Sequence, residues 1–100
     1  MEVRLAEPGV LILTSLCDGP KHGYALIKDI EQIAGVTLGP GTLYGALSRL
    51  EQQGMVVALP AEDRRRPYEI TAAGTAAVRT YLENVHRLAV VGLRRLGAYA

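Results

Sequence analysis

The stretch from Leu38 to Thr71, LGPGTLYGALSRLEQQGMVVALPAEDRRRPYEIT, decides the fold. Pro40 stands where a helix begins, because its fixed φ and missing N–H suit a first turn. Leu43, Leu47 and Leu50 then recur at i, i+4 and i+7, the spacing of one buried helix face, and Gly54 closes the segment just before Met55-Val56-Val57. The pattern predicts a helix over 40–53. Its opposite face carries Gly41, Gly45, Ser48 and Gln52, flanked by Thr42, Tyr44 and Arg49. Such a small, polar, lightly charged face can approach another large surface closely. Met55–Leu59 reads as a strand and Pro67–Ile70 as its partner, joined by a polar loop that holds Arg64, Arg65 and Arg66. A helix followed, one strand later, by a three-arginine turn suggests a helix for a DNA groove and a basic loop for phosphates.

Outward from this stretch, the chain supplies more helices. Pro8 is placed for a first turn, and Val10, Leu11, Leu13 and Leu16 continue a helix that is apolar on more than one side and therefore buried, either centrally or against another chain. Asp18-Gly19-Pro20 ends it in a turn. A second helix is expected from about Lys21 to Ala34, with Leu26, Ile27, Ile30 and Ile33 inward and Gly35 as its stop. Val36-Thr37-Leu38 is too short for an independent strand, but its β-branched residues are expected to add a rung to the hairpin. A hairpin of this size is marginal alone and must lean on the helices. Thr71 is the expected N-cap of a long final helix, in which Ala73, Ala77, Val78, Tyr81, Leu82, Val85, Leu88, Ala89 and Leu96 recur at three- and four-residue steps. A stripe this long has little to pack against in its own chain, which points to a second copy.

Composition sets the limits. One hundred residues, 49% apolar and without Phe or Trp, make a single domain whose core is built from Leu, Val, Ile and Ala. A formal net charge of +1 means that any DNA contact depends on local charge placement. The lone Cys17 excludes an internal disulfide and cannot by itself make a metal site, and it suits a reducing, cytosolic compartment. The N-terminal apolar run is expected to be a core helix and not a leader, and no stretch approaches the ~20 apolar residues of a membrane span.

Four blocks carry a family resemblance. They are Leu13–Leu16 with Gly19-Pro20-Lys21-His22-Gly23-Tyr24-Ala25-Leu26, then Gly39-Pro40-Gly41-Thr42-Leu43-Tyr44, then Leu47-Ser48-Arg49-Leu50-Glu51-Gln52-Gln53-Gly54, then Arg65-Arg66-Pro67-Tyr68-Glu69-Ile70-Thr71-Ala72-Ala73-Gly74. Each is weak alone; in this order they are specific. On them the chain resembles the PadR family of bacterial and archaeal transcriptional regulators over nearly its whole length. The resemblance implies a mainly α (α+β) fold: a winged helix-turn-helix DNA-binding domain over 1–71, with the helix-turn-helix over about 21–53 and the wing over about 55–70, and a C-terminal dimerisation helix over 72–100. It implies a homodimer on a palindromic operator, usually a repressor released by a small molecule. Double-stranded DNA, a second copy and a small-molecule effector are thus the implied partners. The chain departs from members with developed drug pockets, because no Trp stands in the C-terminal helix to sandwich a planar ligand. It ends soon after that helix, as in the short branch of the family, so no separate ligand domain is expected.

Candidate DNA-binding residues are Tyr24, Pro40, Gly41, Thr42, Tyr44, Ser48, Arg49, Arg64, Arg65 and Arg66. Hydroxyls and guanidiniums bond phosphates or base edges, and glycine lets backbone come close. The plainer alternatives are a solvated helix face with Tyr44 partly packed, a solvated arginine turn, and Tyr24 as a core ring. The acids Glu62 and Asp63 are expected to hold the wing when DNA is absent. Dimerisation is assigned to Val78, Tyr81, Leu82, Val85, Leu88, Ala89 and Leu96. His22 reads as a helix-terminal hydrogen-bonding group without a site role, His86 as surface or interface, and Cys17 as a small core residue. No cluster has metal spacing, no nucleophile has a base partner, and no cofactor is expected, so the chain is not read as an enzyme. The competing reading is a winged-helix protein-interaction module that never touches DNA, which the near-neutral charge favours.

Overall fold

The computed structural model describes residues 7–97, so positions 1–6 and 98–100 of the two expected regions lie outside the described residues. The elements are α1 (Pro8–Leu16), β1 (Lys21–His22), α2 (Gly23–Ala34), α3 (Pro40–Gln52), β2 (Val56–Ala58), β3 (Pro67–Ile70) and α4 (Ala72–Arg95). Three helices pack around one aliphatic core, the strands form an antiparallel sheet in the order β1-β3-β2, and α4 runs away from it. This is the winged helix-turn-helix arrangement, mainly α with a small sheet.

α1 is the central element. Leu11, Ile12, Leu13 and Leu16 are buried, and the helix touches α2, α3, α4 and β3, so its all-round apolar character is used inside one chain. Leu26 and Ile30 of α2 and Leu43, Ala46, Leu47 and Leu50 of α3 complete the core with Val56 and Val78. Buried Ser15 donates to Asp29 Oδ2 at 2.5 Å, and the Lys21 ammonium donates to the Ser15 carbonyl and to Asp18. One lysine thus ties a free carbonyl at the end of α1 to the turn that leads into α2. The same ammonium holds the Asp18 carboxyl below its ordinary range, first through the hydrogen bond and then through its charge.

The core turns several expectations around. The third rung of the sheet is Lys21–His22, paired with Tyr68 and Pro67 of β3, and not Val36–Leu38. Leu38 is buried and Val36 packs on the core while Thr37 is exposed, so the segment between α2 and α3 gives its apolar side chains to the interior. His22 instead must be extended to cap α2, and β3 passes alongside it. α2 accordingly starts at Gly23, two residues later than expected. Ile33 is exposed, because the buried positions of α2 are Gly23, Leu26 and Ile30. Cys17 is exposed just past the end of α1, with its thiol on the Leu13 carbonyl. β2 is shorter than expected, Val56–Ala58, although Leu59 N–H still bonds to the Pro67 carbonyl.

Two corners fix the directions of α3 and α4. Gln53 caps α3, and Gly54 at φ 74° lets its own N–H bond to the Glu51 carbonyl and that of Met55 to the Leu50 carbonyl, a Schellman closure. Thr71 then accepts from Gly74 N–H at 3.1 Å, donates its hydroxyl to the Gly54 carbonyl at 2.6 Å, and donates its N–H to the Met55 carbonyl at 3.0 Å. Gly74 lies so close to this strand that a Cβ there would overlap the Met55 carbonyl oxygen and come within 2.9 Å of Ile70 Cγ1. Gly74→Ala should therefore lose about 1–3 kcal/mol of stability in urea unfolding, and Thr71→Ala roughly 1–2 kcal/mol through its missing cap. An unchanged midpoint for Gly74→Ala would show that the α4 corner is not tightly packed.

Candidate nucleic-acid interface

The exposed surface of α3 follows from its sequence. Gly39 leads in with extended backbone, Pro40 occupies the first turn, and the buried leucines turn Gly41, Gly45, Ser48 and Gln52 toward the opposite side. Pro40, Gly41, Thr42, Ser48 and Arg49 are exposed, and Tyr44 is half exposed. The two flanks of this face are unlike. Tyr44 leans toward α2 and the wing, whereas Arg49 borders a shallow recess against Pro8 and Gly9 at the start of α1. Arg49 therefore stands apart from the three wing arginines.

The wing turns on two residues. Glu62 and Arg65 exchange both backbone hydrogen bonds, at 2.6 and 2.8 Å, around Asp63 and Arg64, which have φ of 47° and 67°. Positive φ at both central positions is the mark of a type I′ hairpin turn, whose twist matches that of paired strands. No Asn-Gly pair announces it; aspartate tolerates this left-handed region, whereas arginine resists it. The acids hold the wing differently from expectation: Glu62 acts through its backbone, and among the described residues neither acid forms an ion pair with an arginine. Arg66 Nη1 donates to the Leu59 carbonyl at 3.0 Å, which lays its guanidinium along the wing.

Between α2, α3 and the wing lies an open cleft of about 250 Å³. Tyr24 and Tyr44 stand on its helical side, Arg64, Arg65 and Arg66 on the wing side, and His22, Gly23 and Tyr68 line the remainder. Tyr24 is 64% exposed with the Lys28 ammonium 5.7 Å from its ring centre, so it is not a core ring. Tyr44 lies over Gly23: a Cβ there would meet its hydroxyl and stand 2.8 Å from its Cζ. Burial, then the charge of Glu51 and the nearby Tyr44, push the Tyr68 hydroxyl above its ordinary pKa against the pull of Arg66, so it remains a neutral phenol. The cleft thus gathers cations and hydroxyl donors, a donor set for anionic oxygens. Sequence reasoning does not single out His22 or Tyr68 as site residues. The available signals are a histidine immediately before a helix start and a tyrosine alternating with Glu69 on β3.

α4 presents a different surface. Val78, expected at a dimer contact, is 3% exposed and belongs to the protomer's own core. From Tyr81 onward the same stripe is uncovered, with Leu88 70% and Leu96 83% exposed, Tyr81 and Leu82 over one third exposed, and Val85 half-buried. An apolar groove of about 310 Å³ beside Cys17, Val78 and Leu82 joins this stripe to α1. Among the described residues no group of His, Cys, Asp and Glu could hold a metal, and no helix is long and apolar enough to cross a membrane.

The transcriptional regulator PadR-like family model matches residues 12–80. The transcriptional regulator Rv3488 of Mycobacterium tuberculosis is 37% identical, across 86% of this chain and 85% of that protein. An uncharacterized protein in transposon TN4556 of Streptomyces fradiae is 43% identical across 86% of this chain, which spans only 25% of its length. Among solved structures, a Clostridium thermocellum transcriptional regulator is 28% identical, with TM-score 0.73 over 87% of each chain. A PadR family transcription regulator from Clostridium difficile shares the fold, at 21% identity and TM-score 0.80, over 91% of this chain and 99% of that one.

Arg64→Gly at the left-handed wing tip should leave the hairpin intact and raise stability by up to about 1 kcal/mol in urea unfolding, because glycine adopts positive φ freely. A loss of stability would show that the arginine side chain, and not its backbone, sets the turn.

Proposed function

We propose that this chain, which belongs to the PadR-like family of transcriptional regulators, is a homodimeric, sequence-specific DNA-binding repressor. The observation that carries the reading is the cleft in which Tyr44 of α3 meets the three wing arginines, since it puts a closely approachable helix face and a concentrated positive charge on one side of the molecule. In this reading α3 enters the major groove, with Pro40 and Gly41 allowing close approach and Thr42, Ser48 and Arg49 facing base edges. Tyr24, Tyr44 and Arg64–Arg66 take the backbone phosphates on one side. Residues 1–71 are assigned to the DNA-binding unit and residues 72–100 to the dimerisation region, whose helix α4 runs from Ala72 to Arg95 and so stops short of the helix expected over 72–100. The second copy covers the α4 stripe, where Leu82, Val85, Ala89, Gly92 and Leu96 follow the three-four spacing of a coiled-coil seam and Tyr81 and Leu88 flank it. Two recognition helices about 34 Å apart then meet successive major grooves of a palindromic operator.

Titration of a duplex from the region upstream of its own reading frame, at several salt concentrations, tests the reading. Affinity should fall steeply with salt. Replacing Arg64, Arg65 and Arg66 by Ala should weaken binding to every sequence and flatten the salt slope by up to about 2.7, roughly 0.9 for each phosphate no longer neutralised. Changes at Thr42 or Ser48 should alter sequence preference and leave the slope alone. Salt-independent binding, or none at low salt, would favour a protein-interaction module.

The dimer is tested separately. Light scattering should give twice the chain mass for the wild type, and Leu88→Arg should shift it toward the monomer, since a charge would then lie against the apolar seam that Leu88 flanks. A wild-type monomer at micromolar concentration would contradict the dimer.

A further inference from the structure

We propose that His22 and Arg65 together form a preorganised seat for one backbone phosphate, in which the histidine serves as a neutral hydrogen-bond donor and the arginine as the charge. The proposal rests on the DNA-binding reading and deepens it. His22 Nδ1 accepts from Ala25 N–H at 3.3 Å as the N-cap of α2. A ring nitrogen that accepts carries no proton, so in this ring the proton is on Nε2. Arg65 Nη1 stands 3.5 Å from that Nε2, and a guanidinium has donors only. Two donors that face each other cannot bond each other. An acceptor placed against both would satisfy them together.

The surroundings select an anionic oxygen as that acceptor. On one side the pair borders the cleft of Arg64, Arg66, Tyr24 and Tyr44; on the other it borders Glu62 and Asp63, neither of which forms an ion pair with it. The anion therefore has to come from the tyrosine side, where the exposed flank of α3 also lies. The spacing is set by backbone. His22 pairs with Pro67 across the β1–β3 ladder, two residues beyond Arg65, and Arg65 is held by its exchanged bonds with Glu62. The start of α2 and the wing are thereby cross-linked before any ligand arrives, so little ordering is left for binding. Phosphate matches the set better than carboxylate because two further guanidiniums and the tyrosine hydroxyls face the same opening.

His22→Asn separates the two roles of the residue. Asparagine keeps an N-cap acceptor, so stability should hold, but it withdraws the Nε2–H donor. Against a duplex of roughly three helical turns at low salt, this variant should bind about 5–10-fold more weakly, with the wild-type salt slope, because a neutral donor releases no counterion. Arg65→Ala should weaken binding and also flatten the slope by about 0.9. Nitrogen-15 spectra, with His86 as the internal reference, should show His22 protonated at Nε2 in the free protein and shifted when the duplex is added. Equal affinity of His22→Asn and wild type, or a proton on Nδ1, would overturn the seat while leaving the DNA-binding reading in place. Failure of the wild-type protein to bind any duplex would overturn both.

Discussion

The arrangement depends on one tight corner, where Gly74 and Thr71 pack against the backbone of Gly54 and Met55. Thr71 serves three neighbours at once: it caps α4, reaches the carbonyl of Gly54 just past the end of α3, and pairs with Met55 at the foot of β2. Gly74 has no room for a side chain against the same carbonyl of Met55. The exit of α3, the root of the wing and the origin of α4 are thus joined within a few residues. Since α4 extends about 36 Å at 1.5 Å per residue, a small rotation at this corner becomes a large displacement at its far end. In a dimer built on α4, the separation of the two α3 helices is set here.

A second constraint acts on the opposite side of the sheet. β1 is only two residues long, but it fastens the beginning of α2 to β3 and so to the wing. Pro67, which has no N–H to give, sits at the first residue of the central strand, where its carbonyl still serves Leu59. The wing is consequently tied at both edges of its base and strained only at its tip, at Asp63 and Arg64. In the proposed complex this divides the work. Wing arginines and the helix-flank tyrosines supply affinity from phosphates, which carry no sequence information, and choice among sequences falls to Thr42, Ser48 and Arg49.

Much of the scaffold is legible in local chemistry. Pro40, the leucine spacing and Gly54 mark α3 to within a residue, Thr71 announces α4, and Pro67–Ile70 forms a strand as its composition suggests. What local pattern cannot reveal is non-local. Lys21 and His22 have no strand signature; they pair because capping α2 demands extended backbone beside β3. Val78 belongs to the same three-four series as Leu82 and Val85, and no feature of that series tells where the protomer's core stops and its uncovered stripe begins. The grouping of Tyr24, Tyr44 and the wing arginines requires the hairpin to fold back over α2, and the separation of Arg49 from that group follows from a helical wheel only once the wing's side is known. The left-handed turn at Asp63-Arg64 has no glycine to signal it.

In the proposed complex, two copies of α3 and its wing address two adjacent major grooves. Hydroxyl-radical footprinting on the DNA upstream of the chain's reading frame tests it most directly. Such a complex should leave two protected patches related by an inverted repeat, their centres one helical turn, about 10 base pairs, apart. A single unpaired patch, or uniform cleavage at low salt, would contradict it.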